Sequence, residues 1–192
     1  MEDLSLHILD VVENATAAGA TLVEITIRRD QSRDLLEIII ADNGRGMDPE
    51  MAARVRDPFV TTRTTRRVGM GLPLLEQSAQ EAGGTLALES QPGRGTRVHA
   101  TFQDSHIDRR PLGDIAETMV TLLLGNPEVD FLFTADFGDE PTVIDTRELR
   151  AELGQTPLTA PDVLRLIRET IARGVASDAA ADQEEDGGRN DG

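Results

Sequence analysis

Cysteine and lysine are both missing from this chain, and each absence removes a branch of chemistry. Without cysteine there is no disulfide, no iron–sulfur ligation, no thiolate zinc site and no cysteine nucleophile. Without lysine there is neither a Walker-type phosphate lysine nor a Schiff base, because all 19 basic residues are arginine. Tryptophan and tyrosine are absent too, and five phenylalanines make up the whole aromatic content, so an aliphatic core is expected. Positive charge is scarce: the formal net charge is −16. Residues 1–104 hold 16 acids against 11 arginines, and residues 105–192 hold 19 against 8. That balance argues against nucleic-acid or anionic-membrane binding, which needs a basic footprint. The acidic start MEDLSLHILD has no long apolar run. Neither a signal peptide nor a membrane span is therefore expected, and the expected location is the cytoplasm.

What is present is a hydrophobic content of 39% in 192 residues, enough for one ordinary domain with an appendage. The spacing predicts a helix over 4–18, with Leu4, Ile8, Val11 and Ala15 as its apolar stripe and Gly19 as its stop. His7, Asp10 and Asn14 share its polar face. Strands are predicted over 22–29, where Val23, Ile25 and Ile27 alternate, and over 35–41, apolar enough to be central. A short helix over 48–55, a loop over 61–68 without period, and a helix over 72–82 follow. TLALES and TRVHATF read as strands around the turn QPGRG. Beyond residue 105 the texture changes. PLGDIAETMVTLLLG and TAPDVLRLIRETIARG read as helices, VDFLFTADF and PTVID as strands. The small, acidic stretch 175–192 reads as a disordered tail. The organisation expected is therefore 1–104, an extension over 105–174, and the tail.

IIIADNGRGM (38–47) runs a buried-looking strand into Asp42 and then sets two glycines around an arginine. Asn43-Gly44 is a strong hairpin-turn signal, so one reading is a simple chain reversal. A calcium loop fits poorly, because Gly44 and Gly46 stand where oxygen ligands would be needed. The third reading is a ligand site, with Asp42 as a fixed acceptor and the glycines admitting a flat molecule.

Four pieces stand in order: DVVENATAAGA, DNGRGM, VGMGLPLL and GRGTRVHATF. Together, over residues 4–102, they resemble the N box and three glycine boxes of the Bergerat-fold (GHKL) ATPases: histidine kinases, Hsp90, type II topoisomerases and the MutL group. DPFVTTR is similar to the lead-in of a histidine-kinase ATP lid. The resemblance implies an α/β fold, an α+β sandwich with helices on one face of a mixed sheet. It implies ATP and Mg²⁺ as ligands. Asp42 would accept the adenine amine, with Gly44 and Gly46 clearing the base plane and Met47 as a soft wall. Asn14 would hold the metal, which keeps most of its water and needs only one or two protein oxygens. Gly69, Met70, Gly71 and Leu72 would open a helix onto the phosphates, Arg63 would reach them from the lid, and Thr96 would lie near the adenine.

In the hydrolysing and serine-kinase branches of this superfamily a glutamate four residues before the asparagine acts as general base, whereas histidine kinases usually carry asparagine there. This chain has Asp10 at that spacing, a carboxylate one methylene shorter than glutamate. Only a handful of residues precede the N box, and His7, His99 and His106 do not occupy a phosphoacceptor hairpin. A partner protein, a signalling or redox-enzyme component, is therefore expected to supply the acceptor. The readings carried forward are an ATPase or protein kinase acting on a partner, a non-catalytic ATP-gated interaction module, and a decayed domain kept for structure. Residues 107–174 either cover core surface or form a small docking domain.

Overall fold

The structure, a computed structural model, describes residues 3–56, 71–138 and 140–184. Asp3 caps the first helix, α1 (Leu4–Ala17), by accepting the Leu6 N–H at 3.2 Å. The stripe Leu4, Ile8, Val11 and Ala15 is buried, joined by Val12. The helix ends one residue before its expected limit, and Gly19 follows at φ +79°.

Two strands follow, β1 (Leu22–Asp30) and β2 (Leu35–Asp42), paired antiparallel through the 3₁₀ turn Gln31–Arg33. The turn closes at Asp34, whose φ of +51° is a conformation that aspartate tolerates. Its carboxylate accepts the Ser105 N–H (2.7 Å), the Ser105 hydroxyl (2.8 Å) and the Gln103 amide (2.9 Å). The short helix α2 (Pro49–Arg54) lies against the edge strand of the sheet, and α3 (Gly71–Glu81) packs on the sheet beside α1. The chain then forms the hairpin β3 (Leu86–Gln91) and β4 (Gly95–Gln103). The remaining elements are α4 (Ile115–Gly125), β5 (Asp130–Asp136), β6 (Thr142–Asp145), α5 (Thr146–Leu153) and α6 (Pro161–Glu184).

All six strands form one mixed sheet in the order β3-β4-β2-β1-β5-β6. Only β1 and β5 run parallel; the other pairs are antiparallel. Alternation decides which face is covered. Val23, Ile25 and Ile27, Leu36, Ile38 and Ile40, Val98, Ala100 and Phe102, and Phe131, Phe133 and Ala135 point to one side and are buried. On that side α1 packs between α3 and α4, and α4 packs against α6. Full burial of each Val, Leu, Ile or Phe side chain among them contributes roughly 1.5–3 kcal/mol. The opposite face carries Glu24, Arg28, Glu37, Arg97 and His99, with His99 Nε2 2.9 Å from Glu37 Oε1.

Two expectations change, and one helix joins the elements expected. The core is not purely aliphatic, since Phe102, Phe131 and Phe133 are among its largest fully buried side chains. The segment TRELRAEL forms α5, capped by Asp145, although its apolar positions are too few to announce a helix. The helix α6 runs to Glu184, through ten residues read as disordered tail; the alanine-rich VASDAAADQE favours continuation of a helix already begun. Residues 115–171 share the main core through Ile115, Met119, Leu122, Phe131, Phe133 and Ile171.

The far end of the sheet is locked by charge. Arg29 donates to Asp104 Oδ2 at 2.5 Å, and Arg109 donates to the Asp104 carbonyl at 2.6 Å, all three side chains nearly buried. The near end is where the glycine-rich segments meet.

Candidate functional site

Register assembles the site. Ser90 on β3 stands opposite Thr96 on β4, Thr96 opposite Asp42 on β2, and Asp42 opposite Val23 on β1. These residues lie on the helix-covered face, one row beyond Leu88, Val98, Ile40 and Ile25. An apolar sheet face therefore ends in a half-buried row of one carboxylate and two hydroxyls.

Asp42 is anchored there. Its Oδ1 accepts the Gly44 N–H at 2.7 Å. Desolvation raises its pKa above the ordinary carboxylate value, opposed by the backbone amides of Gly44 and Thr96.

The chain beyond Asp42 does not reverse into a hairpin. Neither Asn43 nor Gly44 has the positive φ of a type I′ turn, and β2's other neighbour is β4, more than fifty residues later. Instead Asn43 fastens the loop to the α1–β1 connection. Its Oδ1 accepts the Thr21 and Leu22 N–H groups at 2.8 and 3.0 Å, and its Nδ2 donates to Thr21 Oγ1. Arg45 N–H donates to the Ala18 carbonyl at 3.0 Å. Gly44 fits this approach because a Cβ would lie 2.9 Å from Asp42 Oδ1 and 3.1 Å from the Ala18 oxygen.

Gly46 is required more strictly. It sits at φ +66°, and a Cβ would overlap the Gln91 carbonyl, with the carbonyl carbon 2.7 Å away. The loop is thus laid across the β3–β4 turn. Gly93 N–H donates to the Arg45 carbonyl at 2.7 Å, and Met47 N–H donates to Ser90 Oγ at 2.8 Å.

A second cluster lies along α1. Asp10 is exposed and Asn14 half-buried, one turn apart. Gly71, the first residue of α3, has Asp10 where its side chain would be: a Cβ would stand 3.1 Å from Asp10 Oδ2 and would overlap its Cβ. Asp10 thus meets Gly71, and Ala18 meets Gly44, so Asn14 lies midway between the two clusters on one helix face. Leu72 is buried behind Gly71.

The structure therefore brings together Asp42, Gly44, Gly46, Met47 and Thr96 at the sheet end, and Asp10, Asn14, Gly71 and Leu72 at the α1–α3 seam. Arg63, Gly69 and Met70, with Arg66 and Arg67, lie outside the described residues. His7 is buried within α1. Sequence reasoning missed Ser90 and the clasp made by Asn43. Ser90 ends the strand TLALES, but only the hairpin register reveals that it faces Thr96. Among the described residues no cluster of three or more His, Asp and Glu side chains forms a metal cage. Two open clefts, of about 270 and 580 Å³, lie away from these residues, against α6.

The family described as "Histidine kinase-, DNA gyrase B-, and HSP90-like ATPase" matches residues 2–106, and the chain belongs to it. The chain is 40% identical over 110 residues to Sensor protein kinase FleS of Pseudomonas aeruginosa, a match spanning 57% of this chain and 27% of that protein. It is 32% identical over 104 residues to the Probable C4-dicarboxylate sensor kinase of Bacillus subtilis, covering 52% and 19%. It is 32% identical over 112 residues to the Non-motile and phage-resistance protein of Caulobacter vibrioides, covering 54% and 13%. The matched segment is thus between an eighth and about a quarter of these relatives' length. Residues 2–106 are an ATP-binding domain related to the catalytic domains of histidine kinases. Among the described residues no helix is long and apolar enough to cross a membrane.

Proposed function

We propose that this chain binds ATP with Mg²⁺ along α1 and uses Asp10 to promote phosphoryl transfer, to water slowly or to a hydroxyl of a partner protein. The observation that carries the proposal is the contact of Asp10 with the first residue of α3, one turn from Asn14. The amides opening α3 form the positive end of its dipole, which suits a phosphate tail.

Asp42 would hold the adenine amine, Gly44 and Gly46 would leave the base plane clear, and Met47 and Thr96 would border it. The donor set fits Mg²⁺, because Asn14 offers one neutral oxygen and such an ion retains most of its water. Bound there, Mg²⁺ would neutralise charge building up on the phosphates. Asp10, exposed beside the α3 terminus, would take the proton of the attacking hydroxyl. The new oxygen–phosphorus bond then forms as the bond to the departing ADP breaks. Arg63 and its neighbours would meet the phosphates from the lid. We place this activity in the cytoplasm, where ATP is available.

The test is an ATP and ADP titration with and without Mg²⁺, followed by phosphate release from wild type and Asp10→Asn. Turnover that disappears in the variant, with ATP affinity kept within a few-fold, supports the proposal. Turnover that survives removes Asp10 as the base. The shorter reach of aspartate favours a second reading, since a misplacement of about 1 Å can cost roughly 10²-fold in rate. Tight Mg²⁺-dependent binding without turnover, even with a partner present, identifies an ATP-gated interaction module.

A further inference from the structure

Ser90 touches three of the segments that shape the Asp42 end of the site. Its Oγ lies 2.8 Å from Met47 N, 2.8 Å from Thr96 Oγ1 and 3.1 Å from the Gly95 carbonyl oxygen. A serine hydroxyl has one proton and two lone pairs. The Met47 N–H can only donate, so it uses one lone pair. The Gly95 carbonyl can only accept, so it takes the serine proton. The contact with Thr96 is left with the second lone pair, and the proton in it must come from Thr96. All three contacts are satisfied at once in this arrangement alone.

The consequence falls on Thr96. With its own proton committed to Ser90, the Thr96 hydroxyl can offer a ligand only lone pairs. Beside it, on the same row of the sheet, the ionised Asp42 carboxylate is also acceptor-only, and its Oδ1 is already engaged by Gly44. We infer that Ser90 is a positioning residue that fixes the polarity of the Thr96 hydroxyl, making this end of the site a pair of acceptors selective for a base whose six-position carries an N–H donor rather than an acceptor oxygen. The inference rests on the nucleotide reading proposed above. It differs from a packing role because the same contacts, if merely structural, would affect all bases alike.

The test compares ADP with inosine diphosphate, whose six-position carries an acceptor oxygen in place of the amine, by calorimetric titration of the full chain without Mg²⁺. Wild type is expected to prefer ADP. In Ser90→Ala the Thr96 hydroxyl is released to turn and donate, so the ADP-to-IDP affinity ratio should fall by about five- to tenfold. Ser90→Thr, which keeps the hydroxyl, should restore it. Thr96→Val removes the acceptor itself and should lower the ratio similarly, with Ser90→Ala adding nothing further to it. This second variant decides the matter if Ser90→Ala does not fold. Equal loss of affinity for both nucleotides in Ser90→Ala, or an unchanged ratio in Thr96→Val, overturns the assignment while leaving nucleotide binding intact. Failure of wild type to bind either nucleotide overturns the underlying reading instead.

Discussion

Replacing Gly46 with alanine tests whether the first glycine-rich loop is built as the structure has it. Gly46 lies at φ +66°, and an added Cβ would overlap the Gln91 carbonyl and stand 3.0 Å from the Gly95 oxygen. Two costs add. A left-handed conformation costs a residue with a Cβ about 1–2 kcal/mol. Carbon contacts settle near 3.5–4.0 Å, so the Gln91 carbonyl carbon, 2.7 Å away, must retreat by about 1 Å. That retreat strains the bonds from Gly93 N–H to the Arg45 carbonyl and from Met47 N–H to Ser90, a crowding cost of about 1–3 kcal/mol. The molecule supplies its own control. Gly93, in the turn that Gly46 crosses, has φ +75° and nothing within 4 Å of its would-be Cβ. Gly93→Ala therefore carries the conformational cost alone. Thermal unfolding of the two variants side by side should separate their midpoints by roughly 2–12 °C, at 2–4 °C per kcal/mol for a chain of this size. ADP affinity should fall in Gly46→Ala and hold in Gly93→Ala. Midpoints equal to within about 1 °C would mean that the loop and the hairpin do not cross at this distance.

Asp42→Asn should weaken ADP binding by about 2–4 kcal/mol, since a donor then faces the amine and the ligand is left unpaired. Because desolvation raises the Asp42 pKa, its contribution to stability is present below the ordinary carboxylate value and lost as pH rises through the raised one. The ligand-free variant should therefore be at least as stable as wild type at pH 7 and lose that advantage on acidification; a variant clearly less stable at pH 7 contradicts this. Asp104→Asn removes the nearly buried carboxylate that Arg29 and Arg109 both face and should cost up to about 3–5 kcal/mol in a urea titration, with ADP affinity of the folded fraction unchanged. A loss under about 1 kcal/mol would make that cluster incidental. Gly71→Ala drives a methyl into Asp10 and should reduce phosphate release about 10²-fold in the wild-type background, with no further loss on top of Asp10→Asn. Additive losses would separate the two positions.

The sequence alone determined most of the scaffold. A period of two in LVEITIRR and a three-to-four spacing in LSLHILDVVENA are local properties, and burial selects the same faces that they mark. The order of the four glycine and asparagine motifs was equally legible, because each is a contiguous string. Tertiary structure decided what depends on residues far apart in the chain. The Asn43-Gly44 ambiguity ended only when β4, rather than a returning hairpin strand, paired with β2. The parallel pairing of β5 with β1 brought α4 and α6 onto the main core, a long-range contact that no periodicity encodes. Hairpin register set Ser90 against Thr96, and helix packing set Asp10 against Gly71. Strand pattern specifies which face is buried, but a side chain's opposite number follows from register and crossing, and those arise only when the sheet and its helices assemble.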